Sequence, residues 1–357
     1  MTDIAVTLAD KRGTLPPEDK LGFGKIFTDH MFVMDYATGK GWYNARIVPY
    51  GQIEISPAAM VLHYGQAIFE GMKAFRTADN RIVVYRPLDH LNRFNHSADI
   101  LSIPQMDVNV LHDGLKKLIE IDKEWVPKSL GTSLYIRPFV ISTDPFVGVK
   151  VADQYTVFII LSPVGAYYAS GFKPVAIKVE EHFVRAVKGG LGEAKTPANY
   201  AASLKAAEVA KKEGYTQVLW LDALEQKYIE EVGTMNIFFK IDNEIITPAL
   251  NGSILNGITR RSVLAVAKDW GMKVSERRIS IEEVYEAHEQ GRLQEVFGSG
   301  TAAVISPVGE LSWKGRKITI NNNEIGETSQ KLFDYITDIQ QGRVADKFGW
   351  TGEMAKL

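Results

Sequence analysis

Lys195 has the most chemical reach in this chain, because the segment KGGLGEAKTPANYAAS sets it between a glycine-rich loop and an alanine-rich helix. Thr196 and Pro197 supply an N-cap and a first-turn proline, so the lysine falls just outside a helix N-terminus. The partial positive charge there disfavours the ammonium form, and burial lowers its pKa further. A lysine held partly neutral is a nucleophile suited to imine formation with a carbonyl. Taken alone, the segment fits a solvated loop lysine better, so the chemistry needs partners.

A second candidate is LNGSILNGITRRSVLAVAKDWG, where Asn256 can cap a helix beginning at Gly257 and Ile258, with Arg260 and Arg261 in its first turn. Two cations at a positive helix end are misplaced by about 0.3 kcal/mol or more each. Either both swing into water, or an anion such as phosphate sits there on the N–H groups of Ile258 and Thr259. In QEVFGSGTAAVISPVGEL the spacing of Gly298, Gly300 and Ala303 imitates a dinucleotide fingerprint, but the following Val304, Ile305, Ser306 and Pro307 favour a strand instead of the required helix. That turn is a tight strand connection that could still offer Gly300 and Thr301 to an anion. In KYIEEVGTMNIFFKI, Glu231 precedes an apolar strand and needs a cation or donor to be tolerated there. His90 and His96, six apart on an expected helix, face different ways, and no metal constellation is evident.

These residues need elements to hold them. The 357 residues predict about two domains. With 24% charged and 45% hydrophobic residues the chain has ordinary globular proportions. Its 41 basic and 43 acidic residues leave a net charge of −2, which argues against a nucleic-acid partner. The absence of cysteine excludes disulfides, thiolate metal sites and a cysteine nucleophile. MTDIAVTLADKRGTLPPEDK lacks a secretory pattern and reads as a frayed lead-in, and the longest dense apolar run, Val157 to Leu161, is too short for a membrane span. A cytoplasmic protein is expected.

Strands are expected in FVMDY, WYNARIVPY and QIEI between His30 and Ile55, then at Lys73 to Arg76, Arg81 to Arg86, Thr132 to Ser142 and Gln154 to Leu161. Helices are expected at Leu88 to Leu101 and Val110 to Trp125. SPVGAYYASGFKP reads as a linker at 163–174, dividing a domain of residues 1–162 from one of residues 175–357. The second half mixes strands at Val175 to Val184, Gln217 to Asp222, Asn236 to Ile241 and Gln294 to Phe297 with helices at Ala198 to Glu213, Ile258 to Trp270, Ile281 to Glu289 and Ser329 to Gln340. Strict βαβ alternation fails, so two α+β domains with a cleft between them are expected.

In order and content, LHYGQAIFEGMKAF, YRPLDHLNR, LYIRPF, GGLGEAKTPANY, EVGTMNIF and FGSGTA resemble the branched-chain amino acid aminotransferases, which are fold-type IV pyridoxal-phosphate enzymes. The resemblance runs from FGKIFTDHMF to about Gly315. It implies a two-domain α+β fold, pyridoxal 5'-phosphate as cofactor, and reversible transamination of L-leucine, L-isoleucine and L-valine with 2-oxoglutarate. It further implies that Lys195 carries the cofactor as an imine and that Glu231 faces the pyridine nitrogen. The phosphate would be held by Arg93, by Ile258 and Thr259, and by Thr301, with Tyr200, Thr234 and Leu255 also at the cofactor. Tyr64, Phe69, Tyr135, Tyr167 and Ala302 would surround the substrate, with Arg137 accommodating the second carboxylate of glutamate. A homodimer is implied as well. Relatives with a CxxC pair carry cysteines where this chain has Ala303 and Ser306, so thiol regulation of that type is absent. TPAN, where relatives often have glycines, points to a different loop path. D-amino acid aminotransferases, aminodeoxychorismate lyases and non-catalytic homologues share the fold, but the first two generally lack the FGKIFTDHMF lead-in.

Overall fold

The computed structural model describes residues 4–165 and 171–357, which form two compact units. The first comprises residues 1–167, 194–197 and 338–357, and the second residues 168–193 and 198–337.

The first unit is built on a nine-stranded sheet. Its order is Ala5–Val6, Gly41–Pro49, His30–Ala37, Gln154–Val164, Ser133–Ser142, Met72–Arg76, Arg81–Tyr85 and Thr351–Lys356, with Ala67–Phe69 also on Ser133–Ser142. Strand alternation sends Phe32 and Met34 into a core shared with Leu91, Phe94, Leu111, Leu115 and Leu118 of the helices Pro87–Ile100 and Val108–Ile121. Met31 and Val33 point to the other face, where they pack with Phe158.

Three expectations change here. The lead-in is anchored: Ile4 is buried, Ala5 and Val6 pair with Arg46 and Ile47, and the Ala9 N–H donates to Nε2 of the buried His30. QIEI is not a strand, since residues 50–56 have no ladder partner. Residues 194–197 and 338–357, expected in the second domain, belong to the first unit, the latter because Thr351–Lys356 pairs antiparallel with Arg81–Tyr85 as the last strand of that sheet.

The second unit holds another nine-stranded sheet, ordered Ile229–Val232, Gln217–Leu221, Val175–Val179, Val304–Trp313, Leu293–Gly300, Met235–Ile241, Glu244–Thr247 and Lys273–Glu276, with Arg316–Thr319 on Val304–Trp313. The mixture of parallel and antiparallel pairs departs from strict alternation, as the strand-rich pattern predicts. The helix Glu327–Gln340 starts on a buried acid. Glu295 accepts N–H bonds from Thr328 and Ser329, both at 2.9 Å, and a carboxylate at this end also complements the helix dipole. Burial opposes its charge, but these donors outweigh it and hold the carboxyl below the usual range. Replacing Glu295 by glutamine is expected to lower stability by about 1–2 kcal/mol in chemical denaturation.

Candidate active site

The first group of predicted residues gathers in the first unit around Lys195. Two backbone bonds fix this residue: its N–H donates to Ser97 Oγ at 2.9 Å, and its carbonyl accepts from the Phe69 N–H at 2.9 Å. Thr196 adds a third anchor by donating its hydroxyl to the Ala67 carbonyl at 2.8 Å, which ties it to the Ala67–Phe69 strand instead of simply capping the helix Pro197–Lys212. The Lys195 amine then lies 4.8 Å from the centroid of the Phe69 ring. Arg137 approaches the same ring at 4.9 Å and donates to the Tyr135 hydroxyl at 3.1 Å. Gly71 is required there, since a Cβ on it would come 2.0 Å from that hydroxyl. Arg137 Nε is buried with no hydrogen-bond partner among the described residues, a donor that an anion would satisfy.

Arg93 is organised by two residues that the sequence did not flag. Glu70, fully buried, accepts from Arg93 Nε at 2.6 Å and Nη2 at 2.9 Å, and from His90 Nδ1 at 2.9 Å. Arg93 and His90, three apart on one helix, therefore grip a single carboxylate. Burial raises the Glu70 pKa, but Arg93 and His90 beside it outweigh that and hold the carboxyl well below the usual range. For His90, burial prevails over Glu70 and lowers its pKa, which favours the neutral ring. The signal for this trio was the E-x19-H-x2-R spacing, visible only once the fold brings Glu70 under the helix.

Glu70→Gln is expected to destabilise the protein by about 3 kcal/mol at neutral pH, because Arg93 loses its buried counter-charge. The carboxyl is depressed on folding, so its contribution is complete above the unfolded pKa of roughly 4.3 and disappears as the pH falls through the folded value. Melting curves of the parent and the variant should therefore converge only in strong acid.

In the second unit the organising acid is Glu231. Its Oε2 pairs with Arg185 Nε at 2.7 Å, and its Oε1 accepts the Leu255 N–H at 2.8 Å. Both acid and base are buried. Asn236 Nδ2 donates to the Leu255 carbonyl at 2.8 Å and reaches Glu231 Oε1 at 3.4 Å. Leu255 thus meets the acid through its backbone. Gly233 and Thr234 form a two-residue hairpin tip: Gly233 has φ +55°, which favours glycine, and its Cβ would strike Gln217. Exposed Thr234 shares a crevice with Arg185, Asn199, Tyr200 and Ser203. Arg185 lies outside the motifs read from the sequence, and Asn199, although inside KTPANY, carries no local sign of the partner it meets.

The other predicted residues are distributed as follows. The helix Ile258–Asp269 is capped by Gly257 and not by Asn256, and the amides of Ile258 and Thr259 lie in its first turn, where N–H groups have no partner within the helix. Arg260 takes neither expected course. It is buried and bonds the Pro248 carbonyl at 3.0 Å and Glu276 at 2.8 Å. Thr301 and Ala302 form the tip between Gly300 and Val304, which pair. Gly298 and Gly300 pack against Met235, which is a structural reason for glycine at both positions. Tyr64 is exposed and donates its hydroxyl to the Val147 carbonyl. Tyr167 lies outside the described residues. Among the described residues no acidic, histidine or cysteine cluster could hold a metal ion.

Residues 67–311 match the family model for amino-transferase class IV. This chain belongs to that family. It is 59% identical over 354 residues to branched-chain-amino-acid aminotransferase 2 of Bacillus subtilis strain 168, covering 99% of this chain and 98% of that one. The Escherichia coli branched-chain amino acid aminotransferase structure is similar with a TM-score of 0.75 and 27% identity, over 90% of this chain and 99% of that one. A T.th. enzyme of the same name, with pyridoxamine 5'-phosphate, has a TM-score of 0.74 and 26% identity over 90% and 98% of the two chains.

Proposed function

We propose that this class IV aminotransferase transfers amino groups reversibly between L-leucine, L-isoleucine or L-valine and 2-oxoglutarate, with pyridoxal 5'-phosphate as cofactor. The donor set fits that group. A lysine amine suits its aldehyde, a carboxylate beside Arg185 suits its ring nitrogen, and the open first turn at Ile258 and Thr259 suits its phosphate. When bound, the cofactor supplies the electron sink that stabilises a carbanion at the substrate Cα.

The chain's own residues do the rest. Lys195 binds through Nζ and afterwards holds and moves a proton at that atom, while Ser97 and the Phe69 backbone keep it in place. Glu231 orients the ring nitrogen and favours its protonated form. Arg93, Thr301, Ile258 and Thr259 hold the phosphate, with Tyr200, Thr234 and Leu255 near the ring. Phe69, Tyr135, Tyr64 and Ala302 shape the apolar side-chain space. Arg137, with its unsatisfied buried Nε, receives the second carboxylate of glutamate or 2-oxoglutarate. The placement of Lys195 against Phe69 carries this reading.

A homodimer in the cytoplasm completes it. No helix among the described residues is long and apolar enough to cross a membrane. The test is a rate assay over L-leucine, L-isoleucine, L-valine, D-alanine and aminodeoxychorismate, with 2-oxoglutarate as acceptor where one is needed. Turnover of the branched L-amino acids supports the proposal, and their inertness would reject it.

A further inference from the structure

Glu230 sits beside Glu231 on the strand Ile229–Val232 but has no cation in hydrogen-bond contact among the described residues. It is 4% exposed. Its Oε1 accepts from the Ser253 hydroxyl and from Asn251 Nδ2 at 3.3 Å, while its Oε2 is buried without a partner among the described residues. A carboxyl in such a place costs stability, and a well-packed apolar residue would be less demanding. What it holds is the segment 251–255, and that segment meets the Glu231 pair twice. The Ser253 carbonyl accepts from Arg185 Nη1 at 3.0 Å, and the Leu255 N–H donates to Glu231 Oε1 at 2.8 Å. The same backbone lies against Gly192, where a Cβ would come 2.2 Å from the Ser253 carbonyl oxygen. The segment therefore lies between the lysine-bearing loop's glycine, the arginine and the acid, with Glu230 fastening it from the adjacent strand position.

We infer that Glu230 is a positioning residue: by anchoring Ser253 and Asn251 it holds the segment that aims Arg185 and the Leu255 amide at Glu231. This rests on the reading that Glu231 acts on the cofactor. Burial raises the Glu230 pKa against the Ser253 and Asn251 hydrogen bonds, and both of those donors go to the one oxygen Oε1, which an amide oxygen can replace. An uncharged acceptor of the same shape should then replace it. Alanine should not.

The test compares Glu230→Ala, Glu230→Gln and Ser253→Ala with Glu231→Gln in the cofactor-loaded enzyme. Removal of the anchor is expected to lower kcat for leucine about tenfold, with KM changed by no more than about twofold, since misorientation of a reacting group acts on turnover. Glu230→Gln is expected to stay within about twofold of the parent, because its amide oxygen still accepts from Ser253. Hydrogen exchange in peptides spanning 251–257 is expected to speed up in both alanine variants and not in Glu230→Gln. Should Glu230→Ala fail to fold, Ser253→Ala breaks the same link. Parent-like kcat and exchange in the folded alanine variants overturn the inference. If Glu231→Gln is itself as fast as the parent, the role of Glu231 falls, and the exchange result still decides the link.

Discussion

Lys195→Ala is expected to lose transamination by at least about 10⁴-fold, because one side chain supplies both the amine nucleophile and the proton carrier. Ser97 and the Phe69 N–H hold the backbone of this residue, and Thr196 anchors the next one, so the loop should keep its path. Cofactor should still bind through its phosphate and ring contacts, without a covalent bond. Borohydride reduction followed by peptide mapping checks this directly. The parent should be labelled at position 195 and the variant nowhere. Full activity in the variant, or a label at another lysine in the parent, would remove Lys195 from the mechanism.

For Glu231→Gln a fall in kcat of about 100-fold is expected, the size seen when one aligned electrostatic partner is taken from a developing charge. The native acid is ion-paired with Arg185, and a neutral amide there no longer favours a protonated ring nitrogen. Cofactor content should fall much less than rate, because the phosphate contacts are untouched. Steady-state rates set beside spectrophotometric cofactor occupancy separate the two effects. An unchanged kcat would show that the ring nitrogen does not depend on this acid.

The lysine loop and the acid that opens EVGTMN were legible because their signals are local: glycine, proline and an apolar strand follow one another within a few residues. Helix and strand positions were legible for the same reason, as at Pro87–Ile100 and Met235–Ile241, where one periodicity runs the length of the element. Spacing could not show partners. Arg260 has the sequence signature of an anion site, but a distant glutamate, Glu276, already neutralises it. His90 was read as uninformative and is one of two helix residues gripping Glu70.

The sequence by itself determined the family, the two-domain α+β class and the chemistry available to Lys195 and Glu231, because these follow from residue type and short-range order. Tertiary structure alone decided that Glu70 orients Arg93, that Arg185 pairs with Glu231, and that the last strand completes the first sheet. These choices join residues far apart along the chain. A buried charge is satisfied by whatever donor the folded chain brings within about 3 Å, and no local pattern encodes that meeting.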